Sequence, residues 1–178
     1  MASGDTHRME LQPLNLNRWI DENRHLLKPP IGNKRLFRDG DFVIMAVGGP
    51  NSRNDYHVDP GQELFYQLEG DMLLKTIQAG KPVDVWVRTG ELLLLPPYVP
   101  HSPQRFANTI GLVIERPRRP GEHDGCQWYC ENCGNLLYEE FFQLKDIETQ
   151  FHRLFEHFYS NLERRTCKQC GAVIARKS

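Results

Sequence analysis

From Asp41 to Glu115 the chain is cut into short apolar runs, and that texture constrains its fold more than any other feature. Phe42–Val47, Leu64–Leu68, Met72–Ile77, Val83–Val87, Leu92–Leu95 and Ile110–Ile114 follow one another with Gly, Pro, Asn and Asp between them. In Val83-Asp84-Val85-Trp86-Val87 the three valines fall on one side of an alternating pattern, the period of a strand. Many short strands at close spacing point to an all-β sandwich or barrel.

The flanks read differently. Met1 to about Gln12 is polar and reads as a loose tail. Asn17 is placed to cap a short helix through Trp19, Ile20, Leu26 and Leu27, stopped by Pro29-Pro30. Arg116–Gly125, rich in Pro, Arg and Gly, reads as a linker. Beyond it, Phe151, Leu154, Phe155, Phe158 and Leu162 form the apolar stripe of a helix. The division expected is residues 1–125 as a β domain with an N-terminal helix, and 126–178 as a small C-terminal unit.

With 178 residues, 39% hydrophobic and 25% charged, the chain suits one domain with an appendage and can form a packed core. A net charge of -1 gives no general attraction to nucleic acid or to an anionic membrane. No apolar run approaches the roughly 20 residues of a membrane span, and Met1–Glu10 has no apolar signal core. The five cysteines all lie in the last third. Four of them form two C-x-x-C pairs, which read as metal ligands in a reducing compartment, so a soluble cytoplasmic protein is expected.

The chemistry concentrates in two stretches. His57 and Glu63 flank the turn Asp59-Pro60-Gly61, and His101 follows Leu92–Leu95 and Pro96-Pro97. Two imidazoles and a carboxylate on neighbouring β elements can hold one face of an octahedral ion and leave three positions open. That suits non-haem Fe(II), which must bind substrate and O₂ together; zinc more often takes a tetrahedral site. His7, His25, His123, His152 and His157 stand outside this spacing and read as structural or solvent-facing.

These stretches resemble the two motifs of the cupin superfamily. His57, Glu63 and Gly70 match the first; Gly90, Pro96 and His101 match the second. The resemblance implies a mainly β fold, a cupin jelly-roll β-barrel. Where many cupins carry a second His, this chain has Asp59, so three ligands are expected.

A narrower resemblance rests on Leu26-Leu27-Lys28-Pro29-Pro30, Gly48-Gly49-Pro50-Asn51, Arg53-Asn54-Asp55-Tyr56-His57, Leu94-Leu95-Pro96-Pro97, His101-Ser102-Pro103-Gln104-Arg105 and Val113-Ile114-Glu115-Arg116. Together these are similar to the 3-hydroxyanthranilate 3,4-dioxygenase family. The resemblance implies an extradiol-type ring-cleaving dioxygenase using Fe(II) and O₂, with no nucleic-acid or membrane partner. The small aromatic acid would become 2-amino-3-carboxymuconate semialdehyde, on the kynurenine route to quinolinate and NAD.

It also implies roles for individual residues. Arg105 grips the substrate carboxylate, and Arg53 stabilises charge on dioxygen. Glu115 contacts the substrate hydroxyl or takes its proton, Glu63 touches substrate as well as metal, and Asn33 and Phe65 line the pocket. Phe65 and Tyr66 are adjacent on one strand, so one of them must face inward. A homodimer is expected from the way many cupins pair through strands. Another small-acid dioxygenase or an isomerase of the cupin type, or a non-catalytic ligand-binding cupin, is the alternative; Arg105 and Glu115 favour the first reading.

Cys130-Glu131-Asn132-Cys133-Gly134 and Cys167-Lys168-Gln169-Cys170-Gly171 are two knuckles of one form. Together they make a Cys₄ site for zinc or iron, with each trailing Gly free to take positive φ. Residues 126–178 carry seven basic and seven acidic side chains, which disfavours phosphate binding. A helix-containing metal ribbon that staples a segment with little core of its own is the expectation. Cys126 has no assigned role.

Overall fold

The computed structural model describes residues 12–29, 32–38, 40–144 and 147–176. Met1–Leu11, read above as a tail, and Pro30 of the expected helix stop lie outside them. The N-terminal helix α1, Leu16–Asn23, is capped by Asn15, whose side chain accepts from the Arg18 N–H at 3.0 Å. The expected cap, Asn17, lies two residues too late and sits inside the helix. A 3₁₀ turn, Arg24–Leu27, continues it.

Among the described residues eleven strands follow: β1 (Asn33–Arg35), β2 (Val43–Gly48), β3 (Asp55–Val58), β4 (Glu63–Glu69), β5 (Met72–Gln78), β6 (Lys81–Val87), β7 (Leu92–Leu95), β8 (His101–Arg105), β9 (Ile110–Glu115), β10 (Asp124–Tyr129) and β11 (Leu136–Phe142). Two helices close the chain, α2 (Ile147–Tyr159) and α3 (Leu162–Arg165). The strands form a five-stranded sheet, β1-β2-β9-β4-β7, and a six-stranded sheet, β11-β10-β3-β8-β5-β6, with every pairing within them antiparallel. A core of Phe65, Met72, Leu74, Val87, Leu95 and Val113 joins the two layers.

The expected jelly-roll barrel is therefore corrected to an open, two-sheet mainly β fold. Closure requires the edge strands of one sheet to hydrogen-bond to those of the other. Here β1 and β7 end one sheet, and β11 and β6 end the other. The three valines do share a face of β6, but only Val87 is buried, and the strand opens with Lys81 and Pro82, residues that suit a free edge.

Alternation decides what the interior holds. On β4 the residues Glu63, Phe65 and Gln67 are buried. Tyr66 turns outward and packs with Leu68 beneath Leu16, Trp19, Ile20 and Leu27, so the N-terminal helix covers the outer face of the five-stranded sheet.

β10 runs through the expected 125/126 boundary. It pairs with β3 from Gly125↔Val58 to Trp128↔Asp55, which makes the C-terminal segment an extension of the six-stranded sheet. That segment also has a core: Cys126, Trp128, Leu154, Phe158 and Ile174, with Trp128 stacked on Phe158 at 4.3 Å. Leu162 leaves the expected apolar stripe because the helix is interrupted between α2 and α3, and it is exposed. Among the described residues no helix is long and apolar enough to cross a membrane.

Candidate active site and metal ligands

Strand pairing assembles the site. The β3–β8 pair sets His57 opposite His101, with ring centroids 5.2 Å apart. Across the sandwich, β4 sets Glu63 opposite Glu115 of β9. All four side chains are buried. Glu63 Oε1 lies 3.0 Å from His101 Nε2 and 3.5 Å from His57 Nδ1.

Each ring is fixed from its far side. His101 Nδ1 donates to the Val99 carbonyl at 3.0 Å, and His57 Nε2 donates to Asp124 Oδ1 at 2.8 Å. Those bonds leave His101 Nε2 and His57 Nδ1 with lone pairs facing the carboxylate. Glu63 Oε1 then has no hydrogen-bond donor although it is buried. Three lone pairs converging on a dry point call for a cation, and the donor set fits Fe(II). Without a metal a proton takes its place: burial works against charge on His57, but Asp124 and Glu63 outweigh it and hold the imidazole up to about 9. Burial also opposes charge on Glu63, yet His101 and His57 hold its carboxyl well below the usual range.

A cavity of about 690 Å³ opens on these ligands. Arg53, Arg105, Glu115, Asn33 and Phe65 all line it. The two arginines differ in kind. Arg53 is clasped by Asp55, with Nε 3.0 and 3.1 Å from the carboxylate oxygens, and Asp55 outweighs burial to raise its already high pKa. Arg105, four residues along β8 from His101, faces the same interior and is only 3% exposed. Its side chain donates to Gln67 Oε1 at 3.1 Å, and among the described residues it has no carboxylate partner. Burial pushes it down to about 10. Gly111 makes room for this pair: a Cβ there would meet Gln67 Oε1 at 2.6 Å and Arg105 Nη1 at 2.9 Å.

Glu115 is pushed up to about 8, first by burial and then by Glu63. Arg118, 3.1 Å away, pulls the other way, but it is shared with Asp59 at 2.7 Å and Asp124 at 2.6 Å. This network was invisible in the sequence, where Arg116–Gly125 reads as a linker. The segment is instead tied down, since Arg116 also grips Glu122 through two contacts of 2.6 Å. Asp59, which replaces a common cupin histidine, accepts from the Gly61 N–H and pairs with Arg118.

The C-terminal unit supplies part of the cavity wall. Phe151 of α2 stands edge-on to His57 at 5.4 Å, and the Arg53 guanidinium lies 6.0 Å from the Phe155 ring. His152, Tyr159 and Arg176 complete that side. The helical stripe signalled burial of Phe151 and Phe155 but could not say against what.

Cys130, Cys133, Cys167 and Cys170 form the second metal cluster. Cys130 Sγ lies 3.5 Å from Cys170 Sγ, and Cys133 Sγ lies 3.5 Å from Cys167 Sγ. Four thiolates at ~2.3 Å from a tetrahedral ion stand about 3.8 Å apart, so little movement is needed. The knuckles repeat bond for bond: Gly134 N–H donates to the Cys130 carbonyl and Gly171 N–H to that of Cys167, both at 2.8 Å, with both glycines at φ +74°.

A family model described as 3-hydroxyanthranilic acid dioxygenase matches residues 9–159. A 3-hydroxyanthranilate 3,4-dioxygenase of Xanthomonas oryzae pv. oryzae is 59% identical over 163 residues, 92% of each chain. Proteins of the same name are 49% identical in Jannaschia sp., over 92% of this chain and 91% of that one, and 48% identical in Lodderomyces elongisporus, over 93% and 94%.

Proposed function

This chain belongs to the 3-hydroxyanthranilic acid dioxygenase family, and from that premise we propose how its cavity divides the work of opening an aromatic ring. It is a non-haem Fe(II) dioxygenase. 3-Hydroxyanthranilate and O₂ are its substrates and 2-amino-3-carboxymuconate semialdehyde is its product, on the kynurenine route to quinolinate and NAD. When bound by His57, Glu63 and His101, Fe(II) supplies a template for substrate and dioxygen and a path for charge from the ring to oxygen.

The observation that carries the assignment of roles is Arg105, a buried cation that no carboxylate of the described chain neutralises. The substrate's carboxylate is its partner, held by the planar fork of the guanidinium. Glu115 has its pKa at about 8 and can exchange the proton of the substrate hydroxyl near neutrality. Arg53, steadied by Asp55, supplies positive charge where negative charge builds on dioxygen. Phe65, Val113, Phe151 and Phe155 exclude water, and Asn33 offers its amide at the side of β1.

We further propose a cytosolic homodimer. The five unpaired thiols support the location. Leu92 and Leu94, exposed on the free edge strand β7, support self-association.

The test is oxygen uptake by Fe(II)-loaded protein with 3-hydroxyanthranilate, run beside 2-aminophenol, which keeps the adjacent hydroxyl and amine and lacks only the carboxylate. Uptake with the first and a KM higher by two orders of magnitude with the second is expected. Equal KM values would remove Arg105 from its role.

A further inference from the structure

We infer that Arg118, acting through Asp124, is a positioning residue for the metal site: it fixes His57 so that Nδ1 faces the ion. Arg118 is 8% exposed at its side chain and lies in the segment between β9 and β10. Its Nε sits 3.0 and 2.9 Å from the two oxygens of Asp124, and its Nη2 sits 2.6 Å from Oδ1. Asp124 is wholly buried, and the same Oδ1 receives His57 Nε2 at 2.8 Å. The chain of contacts runs guanidinium, carboxylate, imidazole, and ends at the ring nitrogen that faces Glu63 and His101.

The fork geometry makes the arrangement directional. A guanidinium has five donors in one plane. Here its Nε/Nη2 edge holds Asp124, Nη2 also reaches Asp59 at 2.7 Å, and Nη1 reaches Glu115 at 3.1 Å. Three buried carboxylates from three stretches of chain are thereby set around one planar group. A lysine ammonium could neutralise charge here but could not hold the Asp124 carboxylate in plane. A carboxylate that rotates no longer dictates which way the imidazole points, and the outer partner of a metal-binding histidine is worth about 10–100-fold in metal affinity.

The inference rests on the three-ligand reading of His57, Glu63 and His101, and the test separates the two. Co(II) is titrated into full-length protein whose Cys₄ site has been filled with zinc, and its visible absorption and affinity are measured. His101→Ala checks the ligand reading by itself: wild-type protein binds and the variant does not. Arg118→Gln and Asp124→Asn are each expected to weaken Co(II) by about 10–100-fold, with zinc content unchanged. The double variant is expected to be no weaker than the worse single one, because both act on one chain of contacts. Arg118→Lys, which keeps the charge, is expected not to restore affinity.

Wild-type affinity in folded Arg118→Gln would overturn the inference, as would multiplicative losses in the double variant or full rescue by lysine. Should Arg118→Gln fail to fold, Asp124→Asn, nearly unchanged in shape, decides the matter: wild-type Co(II) affinity in that variant is equally fatal.

Discussion

Arg105→Met should make the enzyme worse and the free protein more stable. In the parent, burial depresses the guanidinium from its ordinary value to about 10. For a side chain 3% exposed, that drop represents on the order of 3 kcal/mol of strain on the charged form. Met has a similar length and no charge. It leaves Gln67 Oε1 without its donor, which costs about 1–2 kcal/mol. The net expectation is a gain of roughly 1–2 kcal/mol without substrate, and a thermal midpoint raised by about 2–4 °C per kcal/mol for a chain of this size.

Catalysis moves the other way. Two charge-assisted hydrogen bonds to the substrate carboxylate are worth about 3 kcal/mol together, so kcat/KM should fall on the order of 100-fold. The loss belongs in KM, because the carboxylate is gripped equally before and during ring opening. Thermal melts with and without substrate, under argon, together with steady-state oxygen uptake, read both signs. An unchanged KM refutes the reasoning whatever the melt shows, and a lowered midpoint refutes the claim that the buried charge is uncompensated.

Four further outcomes follow from the same contacts. His101→Ala should abolish Fe(II) binding at the three-ligand site while the four-thiolate metal stays, as read by metal analysis. Gly111→Ala should raise KM roughly tenfold in the same uptake assay, because its methyl group cannot coexist with Gln67 Oε1 at 2.6 Å and Arg105 Nη1 at 2.9 Å. Cys133→Ser should empty the Cys₄ site and lower the thermal midpoint while Fe(II) content is retained, since it belongs to a ligand cluster separate from the three Fe(II) ligands. Glu115 titrates near 4.5 when unfolded and about 8 when folded and metal-free. Folding therefore takes up a proton between those values, so its contribution is complete below the lower one and lost as pH rises through the upper. Denaturant melts of apo Glu115→Gln should show a shallower fall in stability across that window than the parent does.

How much could be read from the sequence depended on whether a residue's role was local. The strands β2, β4, β5, β7 and β9 announced themselves by apolar runs, to within a residue or two at each end. The strands β3, β8 and β10 did not. Asp55–Val58 and His101–Arg105 carry polar residues inward because their inner face is the site, and Asp124–Tyr129 opens on the buried Asp124. Strand propensity rewards a pleated surface that packs, and a strand lining a charged cavity violates it. His57, Glu63 and His101 could still be found because their spacing matches a known pattern. Asp124 and Arg118 could not, because their significance comes only from the β10–β3 pairing, which joins positions far apart in the chain. The expected barrel failed for the same reason: closure is decided at sheet edges, and nothing in a single strand reports who its neighbour is.

The charges around the ligands explain why so polar an interior is tolerated. Asp59, Glu63, Glu115 and Asp124 are all buried, and Arg118 is the guanidinium among them. Fully ionised, those four carboxylates exceed that one cation by three charges, an excess no dry interior sustains. A divalent ion at the histidines removes two, and a proton on Glu115 removes the third. Metal-free protein has only protons for the purpose, which is why His57 is held up to about 9 and Glu115 up to about 8. Across the same cavity Arg105 has the opposite deficit, a cation without an anion. The pocket is thus incomplete in two places of opposite sign. A divalent metal fills one and an anionic substrate the other, and an occupant lacking either charge leaves one deficit standing.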